Sequence, residues 1–331
     1  MTGNGQGYVV AVVGAGMVGD RLVSELRRRE FPVSELRVLA RTARTAEVGG
    51  ETFEVGVAEP EAFDGVDFAF FAGTEGEKGA AVQLSGAAIE RGAVVIDNGS
   101  DFRLEDDVPL VVPEVNADAL AGHSGLIANC NCSTITMLVP LAPLAREFGV
   151  EKVVVSTYQA VSGSGRDGVE ALENGREGVY PKPINRNAIP LIGGVGEDGY
   201  TSEETKMRLE SRKILGLPDL EVYATTVRIP VHTGHAESVY VELGREVTKE
   251  EVLEIFSAAP GLVFSGDADD FPTPLDVAGE PGTYVGRVRV EGNRVSFWCV
   301  ADNLLKGAAT NAVQIAESLI EQALVTSKAK V

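Results

Sequence analysis

The first apolar block of the chain is Tyr8-Val-Val-Ala-Val-Val13, a continuous run rich in β-branched residues. Such a run predicts a strand buried on both faces. Gly14-Ala-Gly-Met-Val-Gly19 follows at once, and from Asp20 to Arg29 the apolar residues Leu22, Val23 and Leu26 recur at helical spacing. Similar short blocks return at Leu36–Ala40, Asp67–Ala72, Ala93–Asp97 and Leu126–Asn129. Strands alternating with helical stretches predict an α/β fold with a doubly wound, mostly parallel sheet of Rossmann type.

From Val150 the pattern changes. Lys152–Ala160, Glu221–Pro230, Glu237–Leu243, Tyr284–Val290 and Arg294–Val300 read as longer strands, several close in sequence, as in an antiparallel α+β domain. Lys249–Ala258 reads as a helix, and Gly307–Leu324 has the helical period of a closing element. A length of 331 residues fits about two domains at ~150 residues each. The expected boundaries are 1–130 together with a closing helix in 303–331, and 131–302.

Composition narrows the function. Hydrophobic residues at 44% and charged residues at 24% describe a folded chain, and 38 glycines without a three-residue period exclude collagen. The net charge of −20 repels phosphate backbones and anionic lipid, so neither nucleic acid nor a membrane surface is an expected partner. A local Arg or Lys cluster can still bind a small anion. Three cysteines form no disulfide framework, and Cys130-Asn131-Cys132 lacks the spacing of a metal knuckle, so no metal is expected. Met1–Gly7 is short and polar, and no apolar run reaches about 18 residues. The expectation is a reduced, cytoplasmic protein.

Gly14-x-Gly16-x-x-Gly19 sits between a predicted strand and a predicted helix, the context in which it binds a dinucleotide. The glycines allow a tight turn and close approach of pyrophosphate to free helix N–H groups. Met17 and Val18 inside the loop, and Ala72 and Gly73 after a later strand, are further expected contacts. An NAD-binding fold places an acid after the second strand. Here the segment carries Arg41, Thr42, Arg44 and Thr45, with no acid before Glu47. Arginine there suits a 2′-phosphate, which favours NADP.

Ile127-Ala-Asn-Cys-Asn-Cys-Ser-Thr-Ile135 ends a strand and leads into a helical segment that Pro140 and Pro143 make irregular. Cys132 near a helix N-terminus is a candidate nucleophile, because the dipole favours the thiolate. Among His123, His232 and His235, the pair in Val231-His-Thr-Gly-His-Ala236 offers candidate bases, while His123 reads as a loop residue.

These features resemble the aspartate-semialdehyde dehydrogenase family. The resemblance runs through Gly14–Gly19, Ile96-Asp-Asn-Gly-Ser-Asp-Phe-Arg103, Val111-Val-Pro-Glu-Val-Asn116, Asn129–Ile135 and Ser156-Thr-Tyr-Gln-Ala-Val-Ser-Gly163. It continues through Glu203-Glu-Thr-Lys206, Arg228–His235 and Asp302-Asn-Leu-Leu-Lys-Gly-Ala-Ala309. It implies NADPH-dependent reduction of β-aspartyl phosphate to aspartate semialdehyde and phosphate through a Cys132 thioacyl enzyme, feeding lysine, threonine, methionine and isoleucine synthesis. It implies His235 as acid/base and Gln159 as the residue orienting the intermediate. Arg228 would clamp the α-carboxylate, and Glu203 would meet the ammonium. Arg103 and Lys206 would bind phosphate, with Asn98 and Ser100 nearby. Ser162, Gly163, Asn303 and Gln314 would be further cofactor contacts, and the second domain would serve catalysis and dimerisation in a homodimer or homotetramer.

The chain departs from the family pattern at Cys130, where Pro is common, at Gly99, where a small hydroxyl residue is common, and in a longer 2′-phosphate segment. N-acetyl-γ-glutamyl-phosphate reductase shares the chemistry, but its acylated substrate amine needs no carboxylate such as Glu203. Glyceraldehyde-3-phosphate dehydrogenase prefers an acid after the second strand. A non-catalytic dinucleotide-binding protein would not need Cys132, Gln159, Arg228 and His235 together.

Overall fold

The computed structural model describes residues 7–73, 76–267 and 269–325. The polar N-terminal stretch, apart from Gly7, and the last six residues of the closing segment lie outside them. The chain forms two compact units, one up to Cys130 with the chain again from Ala308, the other Asn131–Gly307.

The first unit is built on eight strands: β1 (Tyr8–Val13), β2 (Val33–Ala40), β3 (Arg44–Val48), β4 (Glu51–Val57), β5 (Phe68–Phe71), β6 (Val94–Asp97), β7 (Leu110–Val111) and β8 (Leu126–Asn129). Their order is β3-β4-β2-β1-β5-β6-β8-β7, with every pairing parallel except β3 with β4. Alternation along β1 explains why it reads as continuously apolar. Val10 and Val12 pack with Leu22, Leu26, Val313 and Leu319, so helices Met17–Arg28 and Thr310–Glu321 cover that face. Ala11 and Val13 pack oppositely with Phe63, Ala81 and Ala88, under helix Ala80–Glu90. A strand covered on both sides needs apolar residues at every position.

Three expectations change here. β2 begins at Val33, ahead of Leu36, because the exposed Ser34 and Glu35 broke the apolar signal. Arg44 and Thr45 open β3 and do not lie in the turn that follows β2. The hairpin β3–β4 turns through Gly49 and Gly50, at φ +60° and +80°, the paired left-handed conformation of a tight hairpin. The closing helix proper is Thr310–Glu321, preceded by a π-helical turn at Leu305–Ala309.

The second unit holds β9 (Val150–Gln159), β10 (Glu221–Arg228), β11 (His235–Leu243), β12 (Leu262–Phe264), β13 (Thr283–Glu291) and β14 (Arg294–Ala301). The sheet order is β10-β9-β11-β14-β13-β12. It is mixed, not antiparallel throughout as the spacing suggested: β10 runs parallel to β9, and β12 to β13. The connection from β9 to β10 carries helices Gly165–Glu173 and Ser202–Leu215, and a crossover of that length permits parallel pairing. Helix Cys132–Phe148 runs unbroken through Pro140 and Pro143 and is buried along most of its length. Along β9, Val153, Val155, Thr157 and Gln159 are buried, while Val154 is 40% exposed, as is Tyr223 of β10 at 48%. One sheet face is thus internal and the other is open.

Phe70 of β5 is fully buried in the first core cluster. Phe70→Ala is expected to cost about 3–5 kcal/mol of unfolding free energy. Denaturant unfolding checks this, and an unchanged midpoint would contradict the packing described.

Candidate functional site

The end of β1 builds a nucleotide groove inside the first unit. Gly14 takes φ +113°, and a Cβ there would stand 2.7 Å from the Ala72 carbonyl oxygen. A Cβ on Gly19 would fall 1.7 Å from the Gly14 oxygen, so helix Met17–Arg28 can sit against the turn only with glycine there. A Cβ on Gly16 would meet nothing within 4 Å, so this glycine keeps the backbone open to a ligand. Gly16 is also the N-cap and offers no side-chain acceptor, which leaves helix N–H groups for an anion.

A groove of about 460 Å³ lies above the turn. Gly14, Gly16, Arg41, Thr42, Arg44, Ala72 and Gly73 line it, and so do Lys78 and Gln83, which sequence reasoning missed. Three cations and no acid are among its described lining residues, against the sign of the whole chain. Met17, Val18 and Gly19 form the first helical turn beside it. Thr45 is not in the lining, and its hydroxyl donates to Glu54 Oε1 across the hairpin at 2.8 Å. Gln314 is not among the lining residues either, and its amide donates to Glu114 Oε1 at 2.9 Å.

Asn98, Ser100 and Arg103 follow β6 in the same unit. Asn98 donates through Nδ2 to the Phe71 carbonyl at 2.9 Å and accepts from Asn129 Nδ2 at 2.7 Å. Arg103 is buried and donates through Nη2 to the Asn98 carbonyl at 2.9 Å, while its N–H meets the Ser100 carbonyl at 3.4 Å. Asn129 also donates to the Ala308 carbonyl and accepts from Asn311 Nδ2, which pins the end of β8.

The second unit carries the candidate catalytic residues Cys132, Gln159 and His235. Asn131 caps helix Cys132–Phe148, its Oδ1 accepting the Ser133 and Thr134 N–H groups at 3.0 and 3.1 Å. Cys132 is therefore the first helical residue, partly exposed, where the helix favours negative charge. Asn131 Nδ2 donates to Glu203 Oε1 at 2.9 Å, and Gln159 Nε2 donates to the same oxygen at 3.1 Å. The Asn131 N–H goes to Glu210 Oε2 at 2.8 Å. Glu203 Oε2 faces Lys206 Nζ at 3.8 Å, the i,i+3 pairing expected on helix Ser202–Leu215.

Arg228 ends β10 in register with Gln159 and is buried. Its Nη1 donates to the Ala160 carbonyl at 2.6 Å, and its Nε has no hydrogen-bond partner among the described residues. His235 heads β11, fully buried, and its Nδ1 accepts the Ala160 N–H at 3.1 Å. Burial first, then the Arg228 charge, hold its pKa well below the usual imidazole value, with a hydrogen bond to the Gly234 backbone acting in the other direction. A Cβ on Gly163 would stand 3.0 Å from Arg228 Nη1 and 3.2 Å from His235 Nε2, so both side chains converge where Gly163 has none.

Asn303 joins two backbone turns. It accepts the Gly234 N–H at 2.9 Å and pairs with Ser162 Oγ at 3.0 Å. A Cβ on Gly307 would lie 2.8 Å from Cys132 Cβ, so only glycine fits against the flank of Cys132. His123 accepts the Gly125 N–H through Nδ1, and the exposed His232 approaches Glu173 at 3.7 Å; neither belongs to the cluster. Cys130 is buried. Among the described residues, no three His, Cys, Asp or Glu side chains are grouped to hold a metal ion. Asn131, Glu210, Gly307 and the Ala160 backbone were missed by sequence reasoning. The Asn-x-Ser-Thr cap was a legible signal for the first.

Comparisons with known proteins match both parts of the chain to one family. Residues 9–123 match the family described as semialdehyde dehydrogenase, NAD binding domain, and residues 141–306 match semialdehyde dehydrogenase, dimerisation domain. The aspartate-semialdehyde dehydrogenase of Bacillus subtilis is 43% identical, over 97% of this chain and all of that one. That of Aquifex aeolicus is 43% identical, over 96% of this chain and all of that one. The crystal structure of aspartate semialdehyde dehydrogenase II from Vibrio cholerae complexed with ASA superposes with a TM-score of 0.90 at 41% identity. That match covers 96% of this chain and 99% of that one.

Asn131→Ala removes a helix cap together with a donor to Glu203. It is expected to lower unfolding free energy by about 1–2 kcal/mol. Equilibrium unfolding of the variant checks this, and wild-type stability would contradict the capping role.

Proposed function

The chain belongs to the aspartate-semialdehyde dehydrogenase family, and on that premise we propose that it reduces β-aspartyl phosphate with NADPH to aspartate semialdehyde and phosphate. The observation that carries the reading is the buried Arg228 guanidinium beside His235 and Gln159, with its Nε unpartnered among the described residues. A buried charge with spare donors suits an anionic ligand group. The substrate α-carboxylate supplies that group.

Cys132 attacks the acyl phosphate carbon. The C–O bond to phosphate breaks and a thioester forms. The helix N-terminus favours the attacking thiolate. Gln159, held by Glu203 and by the Thr157 hydroxyl, orients the acyl group. Glu203 keeps acceptor capacity on Oε2 for the substrate ammonium. Lys206, Arg103, Asn98 and Ser100 are the proposed phosphate ligands.

Arg41, Thr42, Arg44 and Lys78 around an open glycine turn fit a dinucleotide bearing a 2′-phosphate. Such a nicotinamide, when bound, supplies the hydride. Ser162 and Gly163 would border the nicotinamide. Asn303, which holds the Ser162 and Gly234 turns, and Gln314 stay proposed cofactor contacts, while Thr45 spends its hydroxyl on Glu54. We further propose a homodimer through the open face carrying Val154 and Tyr223, in line with the dimerisation domain that the sequence matches. Among the described residues no helix is long and apolar enough to cross a membrane, and a cytoplasmic place suits this biosynthetic reaction.

Phosphate-dependent NADP reduction by the wild type, with aspartate semialdehyde beside N-acetylglutamate semialdehyde, tests the reading. Turnover of the first substrate alone, abolished in Cys132→Ser, is expected. Turnover of only the second would overturn the roles of Glu203 and Arg228. Separately, Arg41→Ala with Arg44→Ala is expected to weaken NADPH binding by about 2–4 kcal/mol while sparing NADH. Titration calorimetry reads this, and equal losses for both cofactors would contradict the 2′-phosphate assignment.

A further inference from the structure

We propose that Asp101, which lies in the segment carrying the proposed phosphate ligands, is a positioning residue for the cofactor and holds the turn at 76–79 that forms one wall of the nucleotide groove. The inference deepens the reading above and rests on that groove as the NADPH site.

Two loops leave neighbouring strands of the first unit. One follows β5 and runs through Gly73 and Lys78 to helix Ala80–Glu90. The other follows β6 and carries Asn98, Ser100 and Arg103. β5 and β6 pair in parallel, so both loops emerge at the same end of the sheet. The second loop braces the first. Asn98 gives its N–H and its Nδ2 to the Phe71 carbonyl, at 3.0 and 2.9 Å. Further out, both carboxylate oxygens of Asp101 accept the Gly76 N–H, at 2.9 and 3.2 Å.

That N–H begins a chain of contacts that reaches the groove. Gly76 takes φ +86°, the left-handed region that favours glycine. Its carbonyl accepts the Gly79 N–H at 2.6 Å. Gly79 is the N-cap of helix Ala80–Glu90, and its carbonyl accepts the Gln83 N–H at 3.2 Å. Lys78, Ala80, Gln83 and Leu84 line the groove. Gly79 brings no side-chain acceptor to the cap, so the turn takes its side-chain anchor from Asp101 on the next loop.

The segment of Asp101 itself is fixed by other bonds. Arg103 donates through Nη2 to the Asn98 carbonyl, and Asn98 is held by Phe71 and Asn129. None of these uses the Asp101 carboxylate. The two roles open to that carboxylate therefore have opposite signs. As a charge alone it repels two anionic ligands, and its removal tightens both. As an anchor, its removal loosens the cofactor wall and leaves the phosphate ligands in place.

Asp101→Ala and Asp101→Asn separate the two roles, because asparagine loses the charge and keeps an oxygen that accepts the Gly76 N–H. Titration calorimetry of the full-length protein reads NADPH affinity without substrate. Asp101→Ala is expected to weaken NADPH binding about fivefold, while Asp101→Asn binds as the wild type or tighter. In the phosphate-dependent assay, kcat and KM for phosphate of Asp101→Ala stay near wild type. NADPH binding by Asp101→Ala that is unchanged or tighter overturns the proposal, and so does a rise in KM for phosphate in its place.

Hydrogen exchange of the cofactor-free protein supplies a second arm. Mass spectrometry of the peptide covering 73–79 is expected to show faster amide exchange in Asp101→Ala than in the wild type or Asp101→Asn, with thermal unfolding midpoints near wild type in both variants. Equal exchange in all three proteins contradicts the anchor. A wild type that binds no NADPH overturns the cofactor reading and with it the role of Asp101. Equal exchange beside tight NADPH binding overturns that role alone, so the two failures are distinguishable.

Discussion

One carboxylate oxygen organises the second unit. Glu203 Oε1 accepts from Asn131 at the head of the Cys132 helix and from Gln159 at the end of β9. Glu203 itself is buried on helix Ser202–Leu215. Three elements from distant parts of the sequence therefore meet at a single atom. A buried carboxylate is costly unless paired, so each donor is required by the charge as much as by geometry. The helix that carries Glu203 is fixed in turn. Thr201 and Glu204 form a reciprocal cap, and Glu204 Oε1 also accepts the Thr226 N–H of β10. Arg228 closes that same strand, two residues further on.

The consequence is that cluster positions are set by backbone and capping contacts more than by direct contact between reactive side chains. Asn131 uses its oxygen to start the helix and its nitrogen to find Glu203. Asn303 holds the turns before His235 and at Ser162. Gly307 and Gly163 act by what they lack, one against Cys132 and the other against the Arg228–His235 pair. The first unit uses the same economy in its glycine turn, where Gly14 and Gly19 pack and Gly16 stays open.

Much of this was legible in the sequence because local rules operate there. The strand, glycine loop and helix at the start of the chain lie within one short window, and the arginines after β2 declared the charge of the groove. The Glu203–Lys206 spacing declared its helix. Other features depend on partners far away in sequence. Thr45 reads as a phosphate ligand until β3 pairs with β4 and turns its hydroxyl to Glu54. The hydrogen bond of Gln314 to Glu114, between helix Thr310–Glu321 and a segment 200 residues earlier, has no sequence signal at all. The Ala160 main chain is invisible to any reading of side-chain chemistry. The parallel pairing of β10 with β9 was hidden because strand spacing alone does not reveal a helical crossover.

The central claim is that Cys132 carries the acyl group. Intact-protein and peptide mass spectrometry after mixing the enzyme with aspartate semialdehyde and NADP in the absence of phosphate tests it most directly. The account predicts an aspartyl adduct on Cys132 that added phosphate removes. No adduct under conditions that support turnover, or an adduct confined to Cys130 or Cys299, would contradict it.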